Sequence, residues 1–191
     1  MEETIEYRIL RENRRTVGME ITEFGLIVKV PTYMTDSETA DFVVKHRRWI
    51  KTHTQSFETR KKQAEMLEPI TADDVDELCR QAVEYIPQRV KIFAAKFGVT
   101  VRKITIRNQL TRWGSCSAKG DLNFNCLLML TPHEVIDSVV AHELCHRKVM
   151  NHSKQFYDEL LKICPDYYEC DKWLKQNGKL LMDRMRKGME S

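Results

Sequence analysis

Apolar and polar side chains alternate over much of residues 5–31. Such alternation is typical of β-strands that bury one face. It occurs in three stretches, at residues 5–11, 16–21 and 25–31, and turn-forming residues separate them. We therefore expect a small antiparallel sheet or meander at the start of the chain.

Helical spacing replaces this alternation from Thr35 onward. Thr35 and Glu38 have the spacing of a capping box, in which two side chains satisfy free N–H groups at a helix start. Apolar residues then recur at helical intervals within a highly charged region, which a Glu-Pro pair ends. We expect a domain boundary at that pair, with one unit at residues 1–68 and another at residues 69–191.

The second unit is predicted to mix helices with strands. Thr71 is a good N-cap for a long helix, and Gly98 is suited to close it because glycine tolerates the left-handed conformation. β-Branched residues and alternation then indicate strands near residues 99–107 and 122–130. The chain therefore has the pattern of an α+β protein.

The strongest helix start in the chain is the run Thr131-Pro132-His133-Glu134. It combines threonine as N-cap, proline at the first helical position and glutamate at the third. We expect this helix to continue through about Met150. Ser153 is expected to cap a further helix that Pro165 ends, and the tail of the chain looks helical.

Composition indicates a globular protein that does not cross a membrane. The 191 residues are 42% hydrophobic and 31% charged, and the formal net charge is only +3. A disordered chain would have fewer apolar residues and a larger net charge. The longest apolar runs fall far short of the roughly 20 residues that a membrane-spanning helix needs, and the acidic N-terminus lacks the apolar segment of a signal peptide. We therefore expect a cytoplasmic protein, and its balanced charge indicates no nucleic-acid partner by itself.

The run His142-Glu143-Leu144-Cys145-His146 has the pattern H-E-x-x-H within the predicted helix. At 3.6 residues per turn, His142 and His146 lie one above the other on one helix face, where both can bind one metal ion. Glu143 lies about 100° around the helix from His142, so it can accept a proton from a water on that metal. In this composition the pattern has a chance expectation of about 0.016 occurrences. It therefore predicts a metal centre and not two histidines that merely pack in the core.

Zinc hydrolases usually bind the ion with three protein ligands and leave the fourth position to water. His152 is the leading candidate for the third ligand, because it follows the predicted helix end and the chain can turn it back. Asp158 and Glu159 are weaker alternatives, since carboxylates also bind zinc. Cys145 points about 80° away from the histidine face and is expected to pack. Surface or packing positions are expected for the other histidines, His46, His53 and His133.

Four runs of residues in the second unit occur in a specific order. They are Arg112-Trp-Gly-Ser-Cys, Leu122-Asn-Phe-Asn, Val139-Val-Ala-His-Glu-Leu-Cys-His and Asn151-His-Ser. In this order they resemble the YgjP-like metallopeptidase family, whose zinc core is similar to those of SprT-like and WLM-type proteases. The resemblance implies His152 as the third zinc ligand. It also implies an α+β, zincin or minigluzincin-like catalytic core in residues 69–191, with an antiparallel sheet beside the H-E-x-x-H helix.

The leading hypothesis is a zinc-dependent metallopeptidase. Zn²⁺ held by His142, His146 and His152 would activate a water, and Glu143 would act as the general base that takes its proton. The strand near Leu122–Asn125 would lie beside an extended peptide substrate. Three residues are candidates for substrate binding, namely Arg112, Trp113 and Asn123.

Two other functions remain open on the sequence. A zinc-dependent nucleotide phosphohydrolase, such as a nucleoside triphosphate pyrophosphatase, would place basic residues against phosphates, although no glycine-rich phosphate loop is present. These basic residues are Arg102, Lys103, Arg107, Arg112, Lys119 and Arg147. A DNA-associated protease, or an adaptor with a mainly structural zinc, would use the basic helix that carries Trp49, His53 and Phe57. A peptide or protein is the first expected partner, ahead of a nucleotide or a nucleic acid, and no membrane is expected.

Overall fold

A computed structural model describes residues 5–190, which form helices and two small sheets. The predicted α+β class is confirmed. The chain divides into two compact units, the first ending at Gln63 and the second beginning at Ala64. The domain boundary expected between residues 68 and 69 stays a prediction. Within residues 5–190, none of the helices combines the length and the apolar character that crossing a membrane requires.

The first unit contains a three-stranded sheet and two helices. Its elements are β1 (Tyr7–Glu12), β2 (Gly18–Thr22), β3 (Gly25–Pro31), α1 (Asp36–Lys45) and α2 (Arg47–Met66), the last of which runs on into the second unit. The predicted capping box of Thr35 and Glu38 is confirmed at the start of α1. Alternate residues of β3 are buried together with one residue from each helix: Leu26, Val28, Val30, Val43 and Ile50.

The first sheet has the strand order β1-β3-β2, in which β1 is parallel to β3 and β2 is antiparallel to it. The prediction of an antiparallel sheet is therefore wrong for β1. The β2–β3 hairpin closes around Gly25, whose φ of 102° suits glycine, and the Thr22 hydroxyl donates to the Gly25 carbonyl. Because β3 is the most buried of the three strands, it takes the centre of the sheet, and β1 pairs with its remaining edge.

The second unit is built around one buried helix. Its elements in chain order are α3 (Ala72–Phe97), β4 (Lys103–Arg107), β5 (Gly114–Cys116), β6 (Asp121–Asn125), a 3₁₀ helix (Cys126–Leu130), α4 (His133–Cys145), α5 (Lys154–Ile163) and α6 (Tyr167–Glu190). Thr71 and Gly98 cap α3 as predicted, and Gly98 has a left-handed φ of 65°. Helix α4 contacts α3, α5, α6 and β5. It therefore lies at the centre of this unit, and most of its residues are buried.

The second sheet is mixed. The prediction of an antiparallel sheet beside the H-E-x-x-H helix is therefore wrong for one of its strands. Its order is β4-β6-β5, with β4 parallel and β5 antiparallel to β6. Leu122 and Phe124 of β6 are fully buried, whereas β5 has three residues and forms an edge. A tight turn at Ser117–Gly120 joins β5 to β6, which leaves only the far edge of β6 for β4. Strand pairing of this kind depends on contacts between distant segments and not on local pattern.

Asn125, at the end of β6, holds the loop that leads into β5. Its Nδ2 donates to the carbonyl of Gln109 at 2.6 Å and to that of Arg112 at 2.9 Å. Its Oδ1 accepts the backbone N–H of Leu127 at 3.1 Å. Because Asn125 is fully buried, bulk water does not replace these bonds if they are lost. This side chain therefore positions the loop just before Gly114.

We expect Asn125→Asp to lower the free energy of unfolding by about 2–4 kcal/mol. Aspartate has the same shape, but it cannot donate, and its charge would face two carbonyl oxygens. Chemical denaturation of the metal-free protein measures the change. The matched control is Asn123→Asp in the same strand, because Asn123 Oδ1 accepts from Arg107 and a negative charge suits that neighbour. Equal destabilisation by both substitutions would contradict the role of Asn125.

Candidate metal centre

The three predicted ligand histidines lie together in the second unit. The ring nitrogens of His142, His146 and His152 that face the cluster all lie within 4.8 Å of one another. The two Nε2 atoms of His142 and His152 are 3.0 Å apart. His142 and His146 are half-buried, and His152 is exposed. Within the part of the chain that the structure describes, this is the one group of three or more such side chains with the spacing of a metal site.

Both ends of α4 differ from the prediction. The helix begins with Pro132 as N-cap, while the Thr131 hydroxyl donates to the Leu128 carbonyl at 2.8 Å instead of capping it. The helix ends at Cys145 and not near Met150. Beyond it the backbone forms tight turns, in which N–H groups of the next residues bond back to the carbonyls of Leu144 and Cys145. His146 is the C-cap residue and keeps a helical backbone conformation, so it still shares the face of His142. The chain reverses direction soon after it.

This reversal brings His152 back to the first two histidines. Ser153 is the N-cap of α5, as predicted, although its side chain makes no capping bond. One turn into α5, the fully buried Phe156 packs against all three imidazoles, with ring centroids between 4.7 and 5.0 Å apart. Phe156 therefore supports the cluster from the core side.

Neighbouring groups orient two of the rings through their Nδ1 atoms. His142 Nδ1 lies 3.0 Å from the hydroxyl of Tyr167, and His146 Nδ1 lies 3.2 Å from the Val149 carbonyl. Ligand histidines in metalloproteins typically use their second nitrogen in this way, which frees Nε2 for the metal. Burial, with a smaller contribution from the nearby His146 and His152, lowers the pKa of His142 to about 4. Burial also lowers the pKa of His146.

The cluster fits a zinc ion by the chemistry of its donors. Zinc binds neutral imidazole nitrogens, commonly three of them in catalytic sites. The lowered pKa values of His142 and His146 favour the neutral form that binds a metal. The Nδ1 contacts leave their Nε2 atoms facing the cluster. His142, His146 and His152 are therefore suited to hold the ion together.

Glu143 is buried between α4 and β5. Glu143 is only 7% exposed. This burial raises the pKa of its carboxyl group to about 7. A Cβ placed on Gly114 of β5 would lie 2.7 Å from Glu143 Oε1 and 2.8 Å from its Cγ. Glycine at position 114 is therefore what lets the carboxyl group lie against the edge strand. Gly114 lies inside the Arg112-Trp-Gly-Ser-Cys run, but its role beside Glu143 depends on a contact between distant segments and could not be predicted from that run.

The three candidate substrate-binding residues have different surroundings. Arg112 is exposed. Trp113 is half-buried and packs against α6, where a Cβ on Gly178 would lie 2.7 Å from its ring. Asn123 donates to the Ser115 hydroxyl and accepts from Arg107. Because side chains alternate along a strand, Asn123 lies on the opposite face of the sheet from Phe124 and the core. The structure therefore does not bring Asn123 to the histidine cluster.

The alternative ligands are engaged elsewhere. Asp158 pairs with Lys154 at 2.7 Å, and Glu159 pairs with Lys148 at 2.9 Å. The buried thiol of Cys145 donates to the Phe156 carbonyl. The other histidines contact backbone or rings: His46 with the Phe42 carbonyl, His53 with that of Trp49, and His133 with the Tyr85 ring.

Strand β5, and not β6, has the free edge beside the site. A peptide substrate was expected beside Leu122–Asn125, but this segment lies in β6, which is paired on both sides. Two backbone hydrogen bonds set the pairing of β5 with β6. Asn125 N–H donates to the Trp113 carbonyl, and Ser117 N–H donates to the Asp121 carbonyl. By antiparallel alternation, the backbone groups of Gly114 and Cys116 then point away from β6. No other strand of the described residues pairs with that edge.

Comparison with known proteins places these features in a family. The family model described as YgjP-like, metallopeptidase domain, matches residues 72–177, more than half of the chain. Among solved structures, the metallopeptidase zymogen jannalysin of Methanocaldococcus jannaschii is 22% identical, and the match covers 49% of this chain and 97% of that one with a TM-score of 0.44. For the metallopeptidase zymogen abylysin of Pyrococcus abyssi, the identity is 20%, the coverage 49% and 96%, and the TM-score 0.45. A search of curated proteins found no match.

Proposed function

The chain belongs to the YgjP-like metallopeptidase family, and from this premise we propose that it is a zinc-dependent peptidase with Glu143 as its general base. The observation that carries the proposal is the group of three ring nitrogens within 4.8 Å of one another, next to the buried Glu143, which lies against an edge strand. In this proposal His142, His146 and His152 hold the ion. Family membership makes the chain a metallohydrolase, and the proposal adds the metal, the ligands and the base.

Zinc, when bound, polarises a carbonyl group and activates a water as nucleophile. Glu143 takes a proton from the attacking water and delivers it to the amine nitrogen as the C–N bond breaks. A buried carboxylate suits this exchange, because loss of solvation makes it a better proton acceptor than an exposed one. His142 and His146 are held in place by their Nδ1 contacts throughout. The products are one carboxylate and one amine.

The peptide is proposed to bind as an extended strand along the free edge of β5. The backbone groups of Gly114 and Cys116 would pair with it, as in other cases of β-strand addition. This brings the scissile bond to the side of β5 against which Glu143 lies. Arg112 is exposed just before this edge and is proposed to contact the substrate. Trp113 and Asn123 are proposed to support β5 through their contacts with Gly178 and Ser115.

Neither alternative function has a specific observation in its favour. Of the basic residues considered for phosphate binding, Arg102 pairs with Asp121, and Arg147 donates to the carbonyls of Thr100 and Ala118. On the basic helix of the first unit, Trp49 stacks on His53 with ring centroids 3.9 Å apart, and it packs against the core of its unit. These contacts engage Arg102, Arg147 and Trp49 within the chain itself.

A substrate screen tests the proposal. Zinc-loaded protein is incubated with a library of unstructured peptides and, in parallel, with nucleoside triphosphates. We expect peptide cleavage, detected by mass spectrometry, that a chelator abolishes and added Zn²⁺ restores. Metal-dependent hydrolysis of the nucleotides without cleavage of any peptide would overturn the proposal in favour of a phosphohydrolase.

A further inference from the structure

The hydroxyl of Tyr167 contacts the first proposed ligand. Tyr167 is the first residue of α6, and its Oη lies 3.0 Å from Nδ1 of His142. The two rings are nearly parallel, at 20°, with centroids 5.7 Å apart. Tyr167 is 8% exposed, so this hydrogen bond is shielded from bulk water and the tyrosine has little freedom to turn away.

The direction of this bond depends on where the imidazole carries its proton. A neutral histidine has one N–H and one lone pair, so a histidine that offers Nε2 to a metal must carry its proton on Nδ1. In that form Nδ1–H of His142 donates to the Tyr167 oxygen. The Nε2 atoms of His142 and His152 are 3.0 Å apart, and two N–H groups cannot face each other at this distance, so at least one presents a lone pair to the cluster.

Different groups hold the Nδ1 atoms of His142 and His146. His146 Nδ1 lies 3.2 Å from the backbone carbonyl of Val149. A carbonyl only accepts hydrogen bonds, so it fixes the proton on Nδ1 wherever the backbone is in place. His142 relies instead on the side chain of Tyr167, from a helix 25 residues further along the chain. The orientation of His142 can therefore be altered without any change in the backbone or in a ligand.

We propose that Tyr167 is a positioning residue of the metal centre, whose hydroxyl accepts Nδ1–H of His142 and so presents Nε2 of that histidine to the ion. This inference rests on the proposed function, because it requires the three histidines to bind a metal. Tyr167 contributes through the tautomer and the orientation of His142, and it does not itself bind the ion or the substrate. The ring stacking supplies a second contact, which phenylalanine would retain.

The test compares Tyr167→Phe with Tyr168→Phe, a matched control. Tyr168 is the next residue, is 55% exposed and has no hydrogen bond to a histidine among the described residues. Competition with a chromophoric chelator measures the Kd for Zn²⁺, and the visible absorption of the Co²⁺-loaded proteins reports ligand geometry. We expect Tyr167→Phe to weaken Zn²⁺ binding by about 10–100-fold and to change the Co²⁺ spectrum. Tyr168→Phe should change neither, and the Tm of both metal-free variants should stay close to that of the wild type.

The outcomes separate this inference from the proposed function. If the wild-type protein binds Zn²⁺ and Tyr167→Phe binds it equally well, the positioning role is overturned while the metal site stands. If Tyr167→Phe loses affinity only together with a large fall in the Tm of the metal-free protein, the tyrosine is structural and the inference is also overturned. If the wild-type protein binds no metal, the proposed function fails first, and the inference fails with it.

Discussion

Replacing Glu143 with glutamine is expected to lower kcat for peptide cleavage by about 10²–10⁴-fold, the usual contribution of a positioned general base. Glutamine has nearly the same shape as glutamate, but its amide cannot take a proton from the attacking water. Glu143 is not one of the three proposed metal ligands, so the affinity for Zn²⁺ should stay unchanged. Steady-state kinetics on a peptide from the screen, together with metal analysis of the purified variant, give both quantities.

The matched control for Glu143→Gln is Glu134→Gln. Glu134 is on the same helix, in its first turn, and is exposed. This substitution removes the same charge from α4, so any general effect of helix charge will appear in both variants. Turnover that survives in Glu143→Gln at the wild-type rate, with zinc bound, would remove Glu143 from the mechanism.

Gly114→Ala is expected to lower kcat by about 10²-fold, the cost that a misplacement of about 1 Å can have in an active site. The added Cβ would lie 2.7 to 3.0 Å from three atoms of Glu143, which is closer than real Cβ contacts allow. Glu143 is buried and has little room to retreat without moving its carboxylate. Gly114 is not among the glycines with positive φ, so alanine fits the backbone itself. Kinetic assays and Zn²⁺ titration of the variant measure the effect.

Ser115→Ala is the control for Gly114→Ala. It changes the neighbouring residue of β5, whose hydroxyl accepts from Asn123 on the other face of the sheet. We expect a much smaller loss of kcat for Ser115→Ala, because the backbone pairing of β5 with β6 stays in place when the hydroxyl is removed. Zn²⁺ affinity should be unchanged in both variants, because neither residue is one of the clustered histidines. If Gly114→Ala has wild-type kcat, the close packing of β5 on Glu143 does not matter for catalysis.

Local features of the chain could be predicted well. The capping box at Thr35 and the caps of α3 at Thr71 and Gly98 are confirmed, because each depends on a few consecutive residues. The juxtaposition of His142 and His146 follows from the repeat of a helix alone. The sequence also predicted that His152 returns to them, although α4 ends earlier than expected. The roles of these residues in metal binding and catalysis stay proposals.

Features that depend on contacts between distant segments could not be predicted. The order of strands in both sheets is of this kind, as is the choice of β5 over β6 as the edge beside the site. Asn123 and Asn125 look equivalent in the sequence, yet Asn125 is fully buried and holds a loop while Asn123 is half-exposed. The difference arises because Asn125 meets the loop before β5, a segment that is distant in the sequence. A local sequence pattern does not encode such a contact.

The sequence by itself determined the α+β class, the helix that carries H-E-x-x-H and the family, because these depend on periodicity and on short ordered motifs. Only the tertiary structure decided which residues surround the motif. The Tyr167 hydroxyl reaches His142 because α6 packs on α4, and Gly114 meets Glu143 because β5 packs on the same helix. Such contacts follow from how buried surfaces fit together in three dimensions, and a pattern read along one chain does not contain that information.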